Sequence, residues 1–143
     1  MAQWPVHASW SGPIVMIGFG SIGRGSLPLI LRHIKCDRSN FTVIDPLDNR
    51  RNLVDKEGIA FKKAAVTRQN YKSLLKPMLT AGPGPALIVN LSVDVSSIDI
   101  IRLAHETGAL YIDTVNEPWP GFYYNEKLDN AQRTNYRIRE DML

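Results

Sequence analysis

The chain has 143 residues, of which 44% are hydrophobic and 22% charged, and its formal net charge is +3. This length suits a single domain, and the composition is that of an ordinary globular protein. No apolar run approaches the roughly 20 residues that a membrane-spanning helix needs, and the basic residues are scattered along the chain, so neither a membrane nor nucleic acid is expected as a partner. The single cysteine, Cys36, fits a reducing compartment such as the cytoplasm.

The first predicted strand, residues 14–17, leads directly into a glycine-rich turn. Gly18, Gly20 and Gly23 have the spacing of a dinucleotide-binding fingerprint. In that motif the first glycine allows a sharp turn, and the second brings the backbone close to a pyrophosphate. The third allows the following helix to lie against the strand. The three glycines therefore predict a cofactor site at the end of this strand.

A helix is predicted over residues 21–35, immediately after the turn. Its N-terminal amide groups lack partners within the helix, and its dipole places partial positive charge at the same end. Such an end binds phosphates. We therefore assign Ser21 and Ile22 to the cofactor site. Pro28 falls inside this predicted helix, where a kink is expected.

The second predicted strand, residues 41–44, ends in Asp45. An acidic side chain about 20 residues after the last glycine of the fingerprint binds the adenosine ribose in dinucleotide-binding domains. Its charge also repels the 2′-phosphate of NADP, whereas the nearby Arg50 and Arg51 would attract that group. Because Asp45 stands at the strand end itself, NAD is predicted as the cofactor.

The middle of the chain continues the alternation of strands and helices. A strand is predicted over 58–61, a helix over 69–79 and a fully apolar strand over 86–89. Ligands of doubly wound sheets bind beyond the carboxyl ends of the strands. Asn90, Leu91 and Ser92 follow the third of these elements directly, so we assign them to the nicotinamide side of the cofactor site.

The next helix is predicted over 97–107, with Asp94 or Ser96 as its N-terminal cap and Gly108 at its end. A fifth strand is then predicted over 109–112. The whole pattern is that of an α/β doubly wound parallel sheet, the Rossmann fold, in one domain that spans residues 1–143.

The loop after the fifth predicted strand combines carboxylates with aromatic rings. It contains Asp113, Glu117 and Trp119, and three further rings follow at 122–124. Carboxylates and aromatic faces together can hold an organic cation by charge pairing and cation–π attraction. The alternative is a polar loop over buried rings. Because this loop leaves the same sheet edge as the glycine turn, we interpret it as facing the reactive end of the cofactor.

The last stretch, residues 125–143, is predicted to be a polar helix with only a weak apolar stripe. No glycine or proline ends it. Five strand–helix units without a separate substrate domain also indicate that the chain is the first part of a longer protein, whose substrate domain lies elsewhere.

These segments resemble the N-terminal cofactor-binding part of the bacterial homospermidine synthases, which are relatives of the saccharopine dehydrogenases. The resemblance covers essentially the whole chain. It rests on residues 4–5, 12–25, 27–29, 43–46, 90–92, 111–114 and 117–119.

The resemblance implies a reaction in which two putrescine molecules are joined to homospermidine with release of ammonia. The steps would be oxidation to an imine, exchange of amines and re-reduction, with NAD recycled and no metal. It places Asp113 and Thr114 at the cofactor. It also makes Glu117 the catalytic carboxylate, which holds an ammonium group or assists a deprotonation. The full-length enzyme is expected to be a homodimer, and this chain alone is expected to be inactive.

Two other functions remain open at this point. A related oxidoreductase acting on an amino acid adduct would need basic groups for substrate carboxylates, yet no arginine follows Glu117 until Arg133. A non-catalytic NAD-binding module would need only the glycines and Asp45.

Overall fold

The computed structural model describes residues 4–142 of the chain. Within these residues lie seven strands: β1 (Ala8–Trp10), β2 (Ile14–Ile17), β3 (Ile34–Cys36), β4 (Phe41–Asp45), β5 (Ala60–Lys63), β6 (Leu87–Asn90) and β7 (Leu110–Asp113). The helices are α1 (Ser21–His33), α2 (Arg51–Asp55), α3 (Tyr71–Leu79), α4 (Ser97–Thr107) and α5 (Asn135–Glu140). Two 3-10 turns cover Arg38–Asn40 and Phe122–Tyr124.

The main sheet has five strands in the order β5-β4-β2-β6-β7, and every neighbouring pair is parallel. The chain builds outward from β2 in one direction and then, through α3, in the other. This arrangement confirms the predicted doubly wound parallel sheet. It also leaves a crevice at the carboxyl ends of β2 and β6, where the strand order reverses and where ligands of such sheets bind.

The sheet is covered on both faces by helices. One hydrophobic cluster joins α3 and α4 to the sheet and includes Ile17, Leu75 and Ile100. The other joins α1 and α2 to the opposite face and includes Met16 and Leu27. All four residues of β2 are buried, which is why this strand reads as a continuous apolar run. Of the helices in residues 4–142, none is long and apolar enough to cross a bilayer.

The predicted helix 21–35 is shorter in the structure, because its last residues join a second sheet. The helix α1 ends at His33, and β3 pairs in parallel with β1. The strand β1 lies in a segment with no visible periodicity, so it was not predicted. Pro28 lies inside α1, and the helix continues past it.

Two differences follow the second strand of the main sheet. The short helix α2 was not predicted, and the third predicted strand, 58–61, is found two residues later as β5. The strand β5 is at the edge of the sheet and is mostly exposed, so its sequence carries little hydrophobic signal.

The prediction of a long helix over 125–143 is wrong for most of its length. Only α5 is helical, and the last predicted residue, Leu143, lies outside the described residues. Local side-chain bonds hold the preceding segment in turns: Asp129 and Gln132 each accept a hydrogen bond from the other's main-chain amide. Thr134 caps α5 by accepting from the amide of Arg137. Asn, Asp and Thr side chains compete with helical bonding in this way.

Candidate functional site

A groove of about 900 Å³ opens at the carboxyl edge of the sheet, above the crevice between β2 and β6. Its walls come from the turns and loops that follow successive strands. They consist of residues 17–18, 20–22, 44–47, 64–69, 91–95 and 119–120. The glycine turn and Asp45 thus meet the segments after β5 and β6 around one space.

The glycine turn is packed tightly on its inner side and is open on its outer side. Gly18 has φ +92°, and a Cβ there would lie 2.8 Å from the Cα of Ser92. A Cβ on Gly23 would lie 2.4 Å from the carbonyl oxygen of Gly18. A Cβ on Gly20, by contrast, would meet no atom of the described chain within 4 Å. Gly18 and Gly23 are therefore needed for folding, whereas Gly20 leaves room for a group from outside.

The N-terminus of α1 begins at this open side. Its cap residue is Gly20, which has no side chain to bond the first amide groups. Ser21 and Ile22 both line the groove. The guanidinium of Arg24 donates to the carbonyl oxygen of Gly20 and so supports the turn from the solvent side. This end of the helix offers amide donors and partial positive charge to an anion.

Asp45 joins the glycine turn to the end of β4. One carboxylate oxygen accepts from the amide of Phe19 at 2.6 Å, and the other accepts from the amide of Leu47 at 2.8 Å. Each oxygen can accept further hydrogen bonds, and Asp45 is part of the groove wall. The acid is therefore fixed in place and can still bind hydroxyl groups of a ligand.

The residues after β6 divide between the groove and the interior. Leu91 and Ser92 line the groove. Asn90 is 2% exposed, and its amide donates to the Tyr111 hydroxyl at 3.1 Å. The amide oxygen of Asn90 accepts from the Ser92 hydroxyl at 2.8 Å. Asn90 thus lies beneath the groove wall and orients Ser92, and its predicted cofactor contact stays a prediction.

Polar side chains from β7 and α4 form a partly buried network next to this loop. The Tyr111 hydroxyl donates to Asp113 at 2.8 Å, and the Ser97 hydroxyl donates to the same carboxylate oxygen at 2.7 Å. Burial raises the pKa of Tyr111, which keeps it a donor. One oxygen of Asp113 is thereby occupied within the protein. Thr114 is exposed, and neither residue is part of the groove wall.

Glu117 is tied to the N-terminus of α4 by its main chain. Its amide donates to the Ser97 hydroxyl at 3.0 Å, and its carbonyl accepts from the Ser97 amide at 2.8 Å. Partial burial raises the pKa of the Glu117 carboxyl, and the negative charge of Asp94 adds to that shift. Interaction with the main-chain amide of Asp94 opposes it. Asp94 has φ +62°, an unusual conformation for a residue other than glycine.

The aromatic residues near Glu117 have different surroundings. Trp119 is buried, donates to Asp99 at 2.5 Å and packs against Tyr71 with ring centroids 5.6 Å apart. Tyr123 is close enough for the charge of Glu117 to help raise its pKa, after the larger effect of burial. Tyr124 is exposed. Of the predicted aromatic box, Tyr123 is therefore near the Glu117 carboxylate, whereas Tyr124 is exposed to solvent.

Two groups in this region were missed from sequence. The segment 64–69, which follows β5, forms part of the groove wall; its position after an edge strand was the available signal. Ser97 and Tyr111 belong to the partly buried network. Ser97 has its partner Asp113 16 positions away, and Tyr111 accepts from Asn90 21 positions away, so no local pattern marks either residue.

The chain matches the model of the family described as "Saccharopine dehydrogenase NADP binding domain" over residues 14–143. A homospermidine synthase of Mesorhizobium japonicum is 60% identical over 141 residues, which are 99% of this chain and 29% of that protein. A homospermidine synthase of Blastochloris viridis is 59% identical over 143 residues, which are 100% of this chain and 30% of that protein.

A solved structure has the same fold. The crystal structure of the homospermidine synthase of Legionella pneumophila in complex with NAD matches with a TM-score of 0.77 and 28% identity. The match covers 94% of this chain and 26% of that one. The chain thus spans about 30% of the length of the curated relatives that it matches.

Proposed function

This chain belongs to the saccharopine dehydrogenase NADP-binding domain family, and we propose that it is the NAD-binding part of a homospermidine synthase. The observation that carries the proposal is the junction of the glycine turn with Asp45. There an open backbone, a helix N-terminus and a fixed carboxylate face one groove. The predicted cofactor, NAD, is the one bound in the Legionella relative.

The groove fits a dinucleotide in its donors and in its space. The pyrophosphate would lie against Gly20, where a Cβ would meet nothing, and accept from the amide groups at Ser21 and Ile22. Asp45 would accept hydrogen bonds from the adenosine ribose. A second negative charge at the 2′ position would be repelled by this carboxylate, which favours NAD over NADP even though the family description names NADP.

Two nearby arginines could in principle attract the 2′-phosphate of NADP, but their positions differ. Arg51 pairs with Asp55 at 3.1 Å, on the outer side of α2. Arg68 lies in the groove wall and is the residue to replace should the chain bind NADP. A direct comparison of the two cofactors therefore tests the role of Asp45.

For the longer protein we propose that two putrescine molecules are joined to homospermidine with release of one ammonia. NAD, when bound, accepts a hydride and later returns it, so the net redox change is zero. The residues of this chain hold the cofactor and, at Glu117, attract a cationic amine. The like charges of Glu117 and Asp94 influence each other, and a diammonium substrate would relieve that repulsion.

Several parts of the proposal concern the rest of the longer protein. Residues 1–143 would form its NAD-binding domain, and a separate domain would supply the remaining substrate contacts. We propose that this protein is a homodimer and that it is cytoplasmic; the single cysteine of the chain is consistent with a reducing compartment. The contacts of Asp113 and Thr114 with the cofactor stay predictions.

Calorimetric titration of this chain with NAD and with NADP tests the cofactor site. We expect binding of NAD and weaker binding of NADP, and no heat with either would contradict the NAD proposal. Isotope-labelled putrescine is then given to the longer protein with NAD. Homospermidine and ammonia in equal amounts, without accumulation of NADH, would support the synthase.

Other results would favour other functions. Turnover of an amino acid adduct with net NADH formation would indicate a saccharopine dehydrogenase-like oxidoreductase. NAD binding without any turnover would indicate a binding module.

A further inference from the structure

We propose that Ser97 is a positioning residue for Glu117, and that Asp113 acts through Ser97 by fixing the direction of its hydroxyl. The inference rests on the proposed function, in which Glu117 attracts a cationic amine of the substrate. It assigns Asp113 to the support of the substrate side.

Ser97 contacts Glu117 at both ends of the same peptide segment. The Glu117 amide donates to the Ser97 hydroxyl oxygen at 3.0 Å, and the Ser97 amide donates to the Glu117 carbonyl at 2.8 Å. Two bonds to one residue restrict the rotation of its backbone more than one bond would. Neither bond involves the Glu117 carboxylate, and Glu117 is not among the residues that line the groove.

The hydroxyl of Ser97 can serve Glu117 because its proton is directed elsewhere. It donates to Asp113 at 2.7 Å, a shorter contact than the 3.3 Å to the carbonyl of Val115. A carboxylate is a stronger acceptor than a carbonyl. With its proton committed to Asp113, the hydroxyl presents a lone pair to the Glu117 amide.

The network also extends to the cofactor groove. Tyr111 donates to the same oxygen of Asp113 and accepts from Asn90, whose own oxygen accepts from Ser92 in the groove wall. The hydroxyl groups of Tyr111 and Ser97 both donate to Asp113, and the Asn90 amide donates to Tyr111 and, at 3.5 Å, to the carbonyl of Val95. The directions of these bonds are therefore compatible. This series of hydrogen bonds therefore connects the loop that carries Glu117 to the wall of the cofactor groove.

The neighbouring Ser96 shows that capping does not explain Ser97. Ser96 caps α4 by accepting from the amide of Asp99 at 3.3 Å. Ser97 is fully buried in the first turn, and its hydroxyl bonds residues 113, 115 and 117. Two adjacent serines thus have separable functions, which supplies a matched control.

The test compares Ser97→Ala with Ser96→Ala by NMR of this chain. In Ser97→Ala we expect exchange of the Glu117 amide to be about tenfold faster and the pKa of the Glu117 carboxyl to move toward its ordinary 4.5. In Ser96→Ala we expect a lower melting temperature, with the Glu117 exchange rate and pKa as in the wild type. The affinity for NAD should stay within about twofold in both variants.

The proposal is overturned if Ser97→Ala leaves the Glu117 amide and carboxyl unchanged, or if Ser96→Ala alters them equally. Should Ser97→Ala fail to fold, Asp113→Asn replaces the acceptor of the Ser97 hydroxyl by a weaker one of nearly the same shape. Exchange of the Glu117 amide and the pKa of the Glu117 carboxyl are then measured in that variant, with the same expected changes. In the longer protein, Ser97→Ala is expected to lower kcat/KM for putrescine about tenfold without changing NAD affinity. If the wild type makes no homospermidine, the proposed function fails, whereas the NMR result still decides whether Ser97 positions Glu117.

Discussion

The turn after β2 and the loop after β7 leave the same edge of one sheet, yet their polar groups point in different directions. At the glycine turn, main-chain amides and an uncovered Gly20 face the groove. In the loop after β7, the carboxylate of Asp113 and the hydroxyl of Ser97 bond each other inside the protein. The turn exposes its donors to a ligand, whereas the polar groups of the loop bond each other and the main chain of Glu117. Mutations should therefore separate binding from positioning.

The largest effect is expected at Gly18. Gly18→Ala adds a Cβ at φ +92° and 2.8 Å from the backbone of Ser92, so strain and overpacking should together cost about 2–4 kcal/mol in the free energy of unfolding. Gly58 is the control, because it also has positive φ, at +70°, but nothing lies within 4 Å of its Cβ position. Gly58→Ala should cost about 1 kcal/mol. Equal losses in urea unfolding would show that the contact with the loop after β6 is unimportant.

A smaller effect, measured on binding, is expected at Asp45. Asp45→Asn removes the charge that accepts from Phe19 and that is proposed to bind the ribose, and NAD affinity should fall roughly 10- to 100-fold. The control is Asp48→Asn, which removes an exposed acid that pairs with Lys63 at 3.0 Å. Calorimetric titration measures both. A similar loss in the two variants would mean that general charge, rather than the fixed carboxylate, governs binding.

On the other side of the comparison, Trp119→Phe tests how the Glu117 loop is anchored. The variant keeps an aromatic ring beside Tyr71 but loses the indole bond to Asp99, so stability should fall by about 1–2 kcal/mol. Trp4→Phe replaces an exposed tryptophan and should change little. Thermal unfolding of the two variants distinguishes an anchoring hydrogen bond from a general effect of ring size.

The smallest effect is expected from the titration of Glu117. Burial raises its pKa above the ordinary 4.5, so its ionised form is accommodated less well in the folded than in the unfolded chain. The wild type therefore loses stability relative to Glu117→Gln as the pH rises from about 4 through the folded-state pKa. Urea unfolding at pH 4 and pH 7 should show the variant gaining only at the higher pH. Glu126→Gln removes the same charge from an exposed side chain and shows what charge removal alone does.

The two regions also differ in how far the sequence predicts them. Gly18, Gly20 and Asp45 line the groove, whereas Gly23 packs against the carbonyl oxygen of Gly18. Their positions can be read from sequence because a strand–turn–helix unit of this kind has a fixed spacing, and their contacts with a cofactor stay predictions. Ser96 as the cap of α4 was one of two predicted candidates, and it is the one observed. Local chemistry of this kind is readable without knowledge of the tertiary structure.

The loop after β7 was predicted only in outline, because its contacts join residues far apart in sequence. Trp119 was expected to be part of an aromatic box for a cation, and it is a buried ring that packs against Tyr71 and forms part of the groove wall. The bond between Ser97 and Asp113 spans 16 positions. No spacing rule connects such pairs, since only the packing of α4 on β7 brings them together. The helix predicted over 125–143 was too long for another reason: the hydrogen bonds that Asp129 and Thr134 make to nearby main-chain amides compete with helical bonding.

The strand β7 is an edge strand of the main sheet within residues 4–142. Leu110 and Ile112 are 53% and 57% exposed on one of its faces, and its outer backbone edge has no neighbouring strand among the described residues. Edges of this kind recruit other polypeptides by sheet extension. Concentrated samples of the isolated chain should therefore oligomerise edge to edge, and a lysine at position 112 should keep them monodisperse during calorimetry and NMR.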